Sequence, residues 1–200
     1  MVHFPQFFNM GSNDDGGGCA SIQGLTTQIG TGTVNDYDFP FDGLWDYSFT
    51  AIIILQSELG TEKQLTSMQF DAGGFSTPFT VNNQDIYIGH IAESIFPPTA
   101  LINLSDVTLS DYIQVVNSQT VTVSSNTWKE VTFDTNFCYN GTSNIVVVWW
   151  NRDGSWQSGN GYAECDSTKL NRALDAQKDN SEPTGSANRG GFVYNTKFSY

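Results

Sequence analysis

The chain has 200 residues, enough for one large domain, and 14% of them are aromatic, which supplies a core. Only 14% are charged, against roughly 25% in ordinary soluble domains, so the polar surface is built from Ser, Thr, Asn, Gln and Gly, a composition suited to strands and turns rather than solvent-facing helices. A formal net charge of −13 argues against capture of nucleic acid and against docking on anionic membrane surfaces, so neither is expected as a partner.

Residues 1–27 read as an arm. An aromatic tip from His3 to Phe8 is followed by Gly11-Ser12-Asn13-Asp14-Asp15-Gly16-Gly17-Gly18, a polar, Gly-rich hinge. Exposed Phe4, Phe7 and Phe8 would cost roughly 2 kcal/mol each in water, so the tip should dock, with a neighbouring subunit the favoured host. The N-terminus has no basic segment, and Pro5, Gln6 and Asn9 interrupt its apolar residues, so no secretory signal is expected there. No apolar run approaches the ~20 residues of a membrane-spanning helix.

Residues 28–200 read as strands. Tyr47 to Leu55 alternates at first and is then apolar on both faces, as in a central strand covered on both sides. Gln64–Asp71, Asp85–His90 and Trp128–Asp134 are further strands. Ile145 to Trp150, six consecutive β-branched or aromatic residues introduced by the turn dipeptide Asn140-Gly141, is the strongest. Phe192 to Tyr200 is a terminal strand. Turn signals recur at Ala72-Gly73-Gly74, Asn82-Asn83, Pro97-Pro98, Asp153-Gly154 and Gly159-Asn160-Gly161. Only Ser167–Lys178 hints at a helix. The pattern predicts an all-β, two-sheet antiparallel sandwich with an extended N-terminal arm.

Three cysteines, Cys19, Cys138 and Cys165, fit neither a disulfide framework nor a zinc pattern. One bridge plus a free thiol and three free thiols both remain open. Of the two histidines, His3 lies in the arm, and His90 is read as a strand-end residue with local hydrogen bonds, since no Gly-x-Ser-x-Gly elbow accompanies it. Glu58, Glu93, Glu130 and Glu164 are candidate glycosidase carboxylates but read more simply as solvated residues at turns and strand ends. No catalytic residue and no enzymatic activity are expected. Asp36, Asp38, Asp42 and Asp46 crowd one loop region and admit two readings, solvated turn carboxylates or oxygen ligands of a structural calcium ion. Beyond that ion no cofactor is expected. In Trp149-Trp150-Asn151-Arg152-Asp153-Gly154-Ser155-Trp156, alternation sends Trp149 and Trp150 to opposite faces, while Trp156 sits in a Gly-rich loop. Two readings stand for this stretch, packing in the core or against a neighbouring subunit, which is favoured, and contact with a glycan, for which Trp156 with Arg152 and Asp153 beside it is the candidate surface.

Several stretches in order carry a family resemblance: Ile29-Gly30-Thr31-Gly32-Thr33, Phe39-Pro40-Phe41, Tyr47-Ser48-Phe49-Thr50, Ile54-Leu55-Gln56-Ser57-Glu58-Leu59-Gly60, Ile86-Tyr87-Ile88-Gly89-His90, Trp128 to Phe137 and Tyr139 to Val147. Together they resemble the jelly-roll modules of Bacteroidetes surface adhesins, similar to cleaved-adhesin and galactose-binding-like domains. The resemblance implies a jelly-roll sandwich, a role in adhesion, carbohydrate contact or scaffolding, and no catalytic residues. It also raises the calcium reading. Related modules are carried by phages of these bacteria. Without an export signal or a C-terminal sorting domain, the sequence fits a bacteriophage virion component, capsid-associated or a fibre or tail subunit, better than a secreted host adhesin. Its partners would be other protein subunits in a homo-oligomer or larger assembly, and a surface glycan.

Overall fold

The computed structural model describes residues 19, 24–36, 40–74, 78–96, 112–124, 127–157, 162–184 and 187–200. The docking residues Phe4, Phe7 and Phe8, Asp38, and the turns at Pro97-Pro98 and Gly159-Asn160-Gly161 lie outside the described residues.

Among the described residues the chain forms β1 (Thr26–Ile29), β2 (Val34–Asp36), β3 (Tyr47–Ile54), the one-turn helix α1 (Gln56–Leu59), β4 (Lys63–Ala72), β5 (Phe79–Ile91) and β6 (Ile113–Val123). These are followed by β7 (Thr127–Tyr139), β8 (Asn144–Asn151), β9 (Ala163–Asp166), β10 (Ala173–Lys178), β11 (Asn188–Gly190), β12 (Val193–Tyr194) and β13 (Thr196–Ser199). They build two antiparallel sheets. One has the order β1-β13-β4-β9-β12, with β2 added on β9 and β7 on β4. The other runs β11-β10-β3-β8-β5-β6. The expected all-β sandwich is therefore what the chain forms.

The sheets bury a common core. Ile52, Ile54, Ile86, Ile88, Val147 and Trp149 of the second sheet face Leu65, Met68, Phe70, Val131, Phe137 and Phe198 of the first. β3 and β8 are apolar on their other face as well. There Phe49, Ala51, Ile53, Val146, Val148 and Trp150 form a second buried cluster with Tyr87 and Leu174, covered in part by Phe96 and Tyr112. This explains the unbroken apolar runs, because a central strand buried on both sides has no solvent face to mark with polar residues. Trp149 and Trp150 do diverge, and each is buried in its own layer.

The sheets are joined along one edge where β6 passes into β7. Asn117 N–H donates to Asp134 Oδ2 at 2.8 Å, and Gln119 Nε2 donates to the Thr132 carbonyl at 2.9 Å.

Three local expectations are corrected. Ser167–Lys178 holds no helix. It is a turn followed by β10, whose Ala, Leu, Gln and Lys favour helix intrinsically but pair with β3 along its length and, at residues 173–175, with β11 as well. Asn82-Asn83 is no chain reversal. It lies inside β5 as an irregularity in the pairing with β6, with Asn83 at φ 53°. Glu58 is not a solvated turn residue. It lies in α1, where its carboxylate takes Arg172 in a two-bond fork (2.9 and 3.1 Å), Lys169 Nζ at 2.5 Å and Leu55 N–H at 3.0 Å. Burial alone would push the Glu58 carboxyl up, but these donors hold it below the ordinary carboxylate range.

The cysteines resolve to one bridge and one thiol. Cys19 and Cys138 form a disulfide with Cα atoms 5.6 Å apart, and Cys165 is buried outside the bridge, its thiol directed at the Ala163 carbonyl. The bridge fixes residue 19 to the end of β7.

Candidate glycan-binding site

The sandwich has two ends, and β8 runs from one to the other. At its start lie Cys138, α1 and the turn 140–143. In that turn Asn140 Oδ1 accepts the backbone N–H of Thr142 and Ser143. At its finish lie the loops 40–46 and 152–157. An eight-residue strand separates the ends by about 25 Å.

Loop 40–46 is built around a buried aromatic plug. Phe41 stands edge-on to Phe70 and Phe79, with ring centroids at 6.0 and 6.1 Å, and lies 5.6 Å from Trp149. Thr50 Oγ1 holds the Pro40 carbonyl at 2.5 Å, Ser48 Oγ accepts Asp42 N–H, and Asp42 Oδ1 accepts Leu44 N–H. With Phe41 pinned and Asp42 closing the turn, Gly43-Leu44-Trp45 is turned outward.

Loop 152–157 is built around Asp153. Its Oδ1 accepts both the backbone N–H and Nδ2 of Asn82, at 2.8 and 3.0 Å. Its Oδ2 accepts Ser155 Oγ at 3.1 Å and Gln157 Nε2 at 2.8 Å. Beneath it runs a buried polar chain in which Trp149 Nε1 donates to Gln84 Oε1, and Gln84 Nε2 donates to Asn151 Oδ1 and to the Asn82 carbonyl. Such a chain in a low-dielectric interior gives the loop a unique base. Gly154 adopts φ +75°, where a side chain would be strained.

The two loops are cross-linked. Gln157 N–H donates to the Gly43 carbonyl at 2.7 Å, and Gly154 N–H donates to the Asp46 carbonyl at 2.9 Å. Between these bonds the loops present Leu44 (44% exposed), Trp45 (39%) and Trp156 (62%), a small apolar tip on a polar molecule. Aspartates lie in and beside these loops. Asp153 belongs to one of the loops, and Asp46 receives Asn180 N–H at 2.9 Å while its own N–H approaches Asp179 Oδ1 at 3.4 Å.

Of the three residues that sequence marked for a glycan, only Trp156 projects a large exposed face. Arg152 is held inward by Asp85 and by Glu182, 2.9 Å from its Nε, and its guanidinium stacks 4.7 Å over Trp150. Asp153 is the loop's hub. Leu44 and Trp45 were missed. Their signal was available: an apolar pair in a Gly-containing turn, flanked by Asp42 and Asp46, with no strand periodicity to bury it.

The remaining candidates are dispersed. Asp36 lies in β2 of the first sheet, while Asp42 and Asp46 bond to backbone amides of their own loop and its neighbour. Among the described residues, the Asp and Glu carboxylates form no group of three close enough to share an ion. Glu130 accepts Ser67 Oγ at 2.6 Å, Glu164 lies in β9, and Glu93 offers its carbonyl to Asn144. His90 accepts the Asn140 N–H at Nε2 and stacks on Phe137 and Tyr139, and burial lowers its pKa.

Comparison of the chain with protein-family models, with curated proteins and with solved structures gave no match.

Proposed function

We propose that this chain is a non-enzymatic adhesive and structural subunit that binds a surface glycan at the Leu44–Trp45–Trp156 tip. The observation that carries the reading is the exposure of two indoles on rigid, mutually hydrogen-bonded loops. Flat aromatic faces match the apolar faces of sugar rings, and loops held in place before binding lose little entropy on contact. Asp46, Asp153 and Asp179 in and beside the loops, together with the net charge of −13, favour neutral or amino-bearing sugars over sialylated or uronic ones.

The expected result on a glycan array is retention of the intact protein on neutral or amino sugars. Trp156→Ala and Trp45→Ala should each weaken that retention at least tenfold, about 1.4 kcal/mol. Both variants should remain folded, Trp156→Ala losing less stability than Trp45→Ala because Trp156 is 62% exposed and Trp45 39%. A blank array, or retention unaffected by either variant, would sink the reading.

The setting we favour is a bacteriophage virion, as a capsid-associated, fibre or tail subunit; a Bacteroidetes-type surface adhesin is the other. The Cys19–Cys138 bridge supports a protein that ends up outside the reducing cytoplasm. It also fastens residue 19 at the end opposite the tip, which supports anchoring at one end and binding at the other. Replacing Phe4, Phe7 and Phe8 together by Ser should leave the sandwich folded and glycan binding intact while reducing oligomerisation, read by light scattering. Unchanged assembly would refute the docking role of the arm.

A further inference from the structure

At the end opposite the tip, Cys19, Cys138 and Glu62 meet. One sulfur from each cysteine and one oxygen of the Glu62 carboxylate lie within 4.8 Å of one another. The ladder between β4 and β7 explains the meeting. Cys138 is the cross-strand partner of Gln64, and alternation returns Glu62, two residues earlier, to the same face and diagonal to Cys138. The turn at Gly141 holds Glu62 there, since a Cβ on Gly141 would come within 2.4 Å of the Glu62 backbone nitrogen. Cys19 lies against the start of β4, with its sulfur 3.8 Å from the Lys63 carbonyl oxygen.

We infer that this locus is a redox-gated metal site: with the disulfide reduced, Cys19, Cys138 and Glu62 bind a thiophilic divalent cation, zinc above all. Zinc takes thiolate sulfur at about 2.3 Å and carboxylate oxygen at about 2.0–2.2 Å, which places tetrahedral ligand atoms about 3.5–3.8 Å apart. The three ligand atoms lie within 4.8 Å of one another, so the exposed Glu62 side chain needs to close by no more than about 1 Å while the two sulfurs part from bonding distance. In the metal-bound form two thiolates and a carboxylate set three negative charges around the cation, which offsets their mutual repulsion. Glu62 and Cys138 are exposed, so an ion can enter and water can complete its shell. The net charge of −13 draws cations to the molecule.

The chemistry balances. A phosphine reductant takes the oxygen of one water molecule to become the phosphine oxide, and the disulfide gains two electrons and two protons to become two thiols. Metal binding then displaces those two protons. Residue 19 is thus fastened to β7 in both redox states, by a covalent bond or by a metal, and the inference is independent of glycan binding.

The test uses the full chain, reduced anaerobically with a phosphine, freed of reductant and titrated with Co2+. A thiolate-to-cobalt charge-transfer band saturating at one ion per chain is expected, displaced by Zn2+ and absent from the oxidised protein. Cys165 is buried elsewhere and should leave the band unaffected when replaced by Ala. Glu62→Gln keeps both sulfurs, and should lower Co2+ affinity at least tenfold with the disulfide still able to form. Cys138→Ser should abolish the band. No band in the reduced protein, a band surviving Cys138→Ser, or undiminished affinity in Glu62→Gln would each overturn the assignment.

Discussion

Arg172→Met should lower stability by about 3 kcal/mol, and Tm by about 6–12 °C for a chain of this size. Arg172 is buried, at 5% exposure, and its guanidinium forks onto Glu58. Removing it leaves a half-buried carboxylate with Lys169 and one backbone amide as its described partners. The expected loss lies at the lower end of the range for broken buried pairs because the Glu58 side chain retains 18% exposure.

The pH profile identifies the cause. The folded-state pKa of Glu58 lies below its ordinary value near 4.5, so the stability it contributes is complete above that value. It is lost as pH falls through the folded-state pKa. The gap between wild type and Arg172→Met should therefore be widest at neutral pH and narrow on acidification. Chemical denaturation at pH 7 and pH 3.5 reads both points. The double variant Glu58→Gln/Arg172→Met should lose less than the sum of the single losses, since neither charge is then left alone. A loss that is independent of pH would mean that Arg172 acts by packing alone.

The second large effect belongs to the disulfide. Cys19 and Cys138 are 119 residues apart, so the bridge closes a loop that includes β1 through most of β7. Chain-entropy reasoning puts the stabilisation from so long a loop at about 5 kcal/mol as a ceiling, and native disulfides of this kind return about 2–5 kcal/mol. The paired variant Cys19→Ser/Cys138→Ser, compared with the oxidised protein by denaturant unfolding with a chelator present, should show a loss in that range. Reduced wild type with chelator should match the variant. A loss below about 1 kcal/mol would contradict a major stabilising role for the bridge.

Local sequence carried the sandwich where burial is extreme. Ile145 to Trp150 and Tyr47 to Ile54 announce central strands because both their faces are covered, and six β-branched or aromatic residues in a row leave little alternative. β10 was misread for the opposite reason, since Ala173, Leu174 and Ala176 are good helix formers and only their pairing with β3 makes them a strand. β6 was missed because exposed polar residues and Ser118 at φ 54° break its alternation.

The site was half legible. Trp156 stood out as an aromatic in a Gly-rich loop, but its neighbour Trp45 comes from a loop more than a hundred residues away. Their loops are joined by two backbone hydrogen bonds that no local pattern encodes. Glu58 was misread for the same cause, with its partners Lys169 and Arg172 lying 111 and 114 residues further along the chain. Asp153 was read as a glycan contact, and its side chain accepts four hydrogen bonds within and beside its loop, partners that no local pattern encodes.

Most direct for the tip itself is a titration of the full chain with a glycan retained on the array, following the five indole N–H resonances by two-dimensional NMR. Trp149 and Trp150 are buried in separate layers, and Trp128 lies under Lys197, whose Nζ is 3.7 Å from the ring centroid. The signals of Trp45 and Trp156 should shift together on saturation while those of Trp128, Trp149 and Trp150 stay in place. Shifts confined to Trp128, or none at Trp45 and Trp156 at saturating glycan, would contradict a binding site at the loop end of the sandwich.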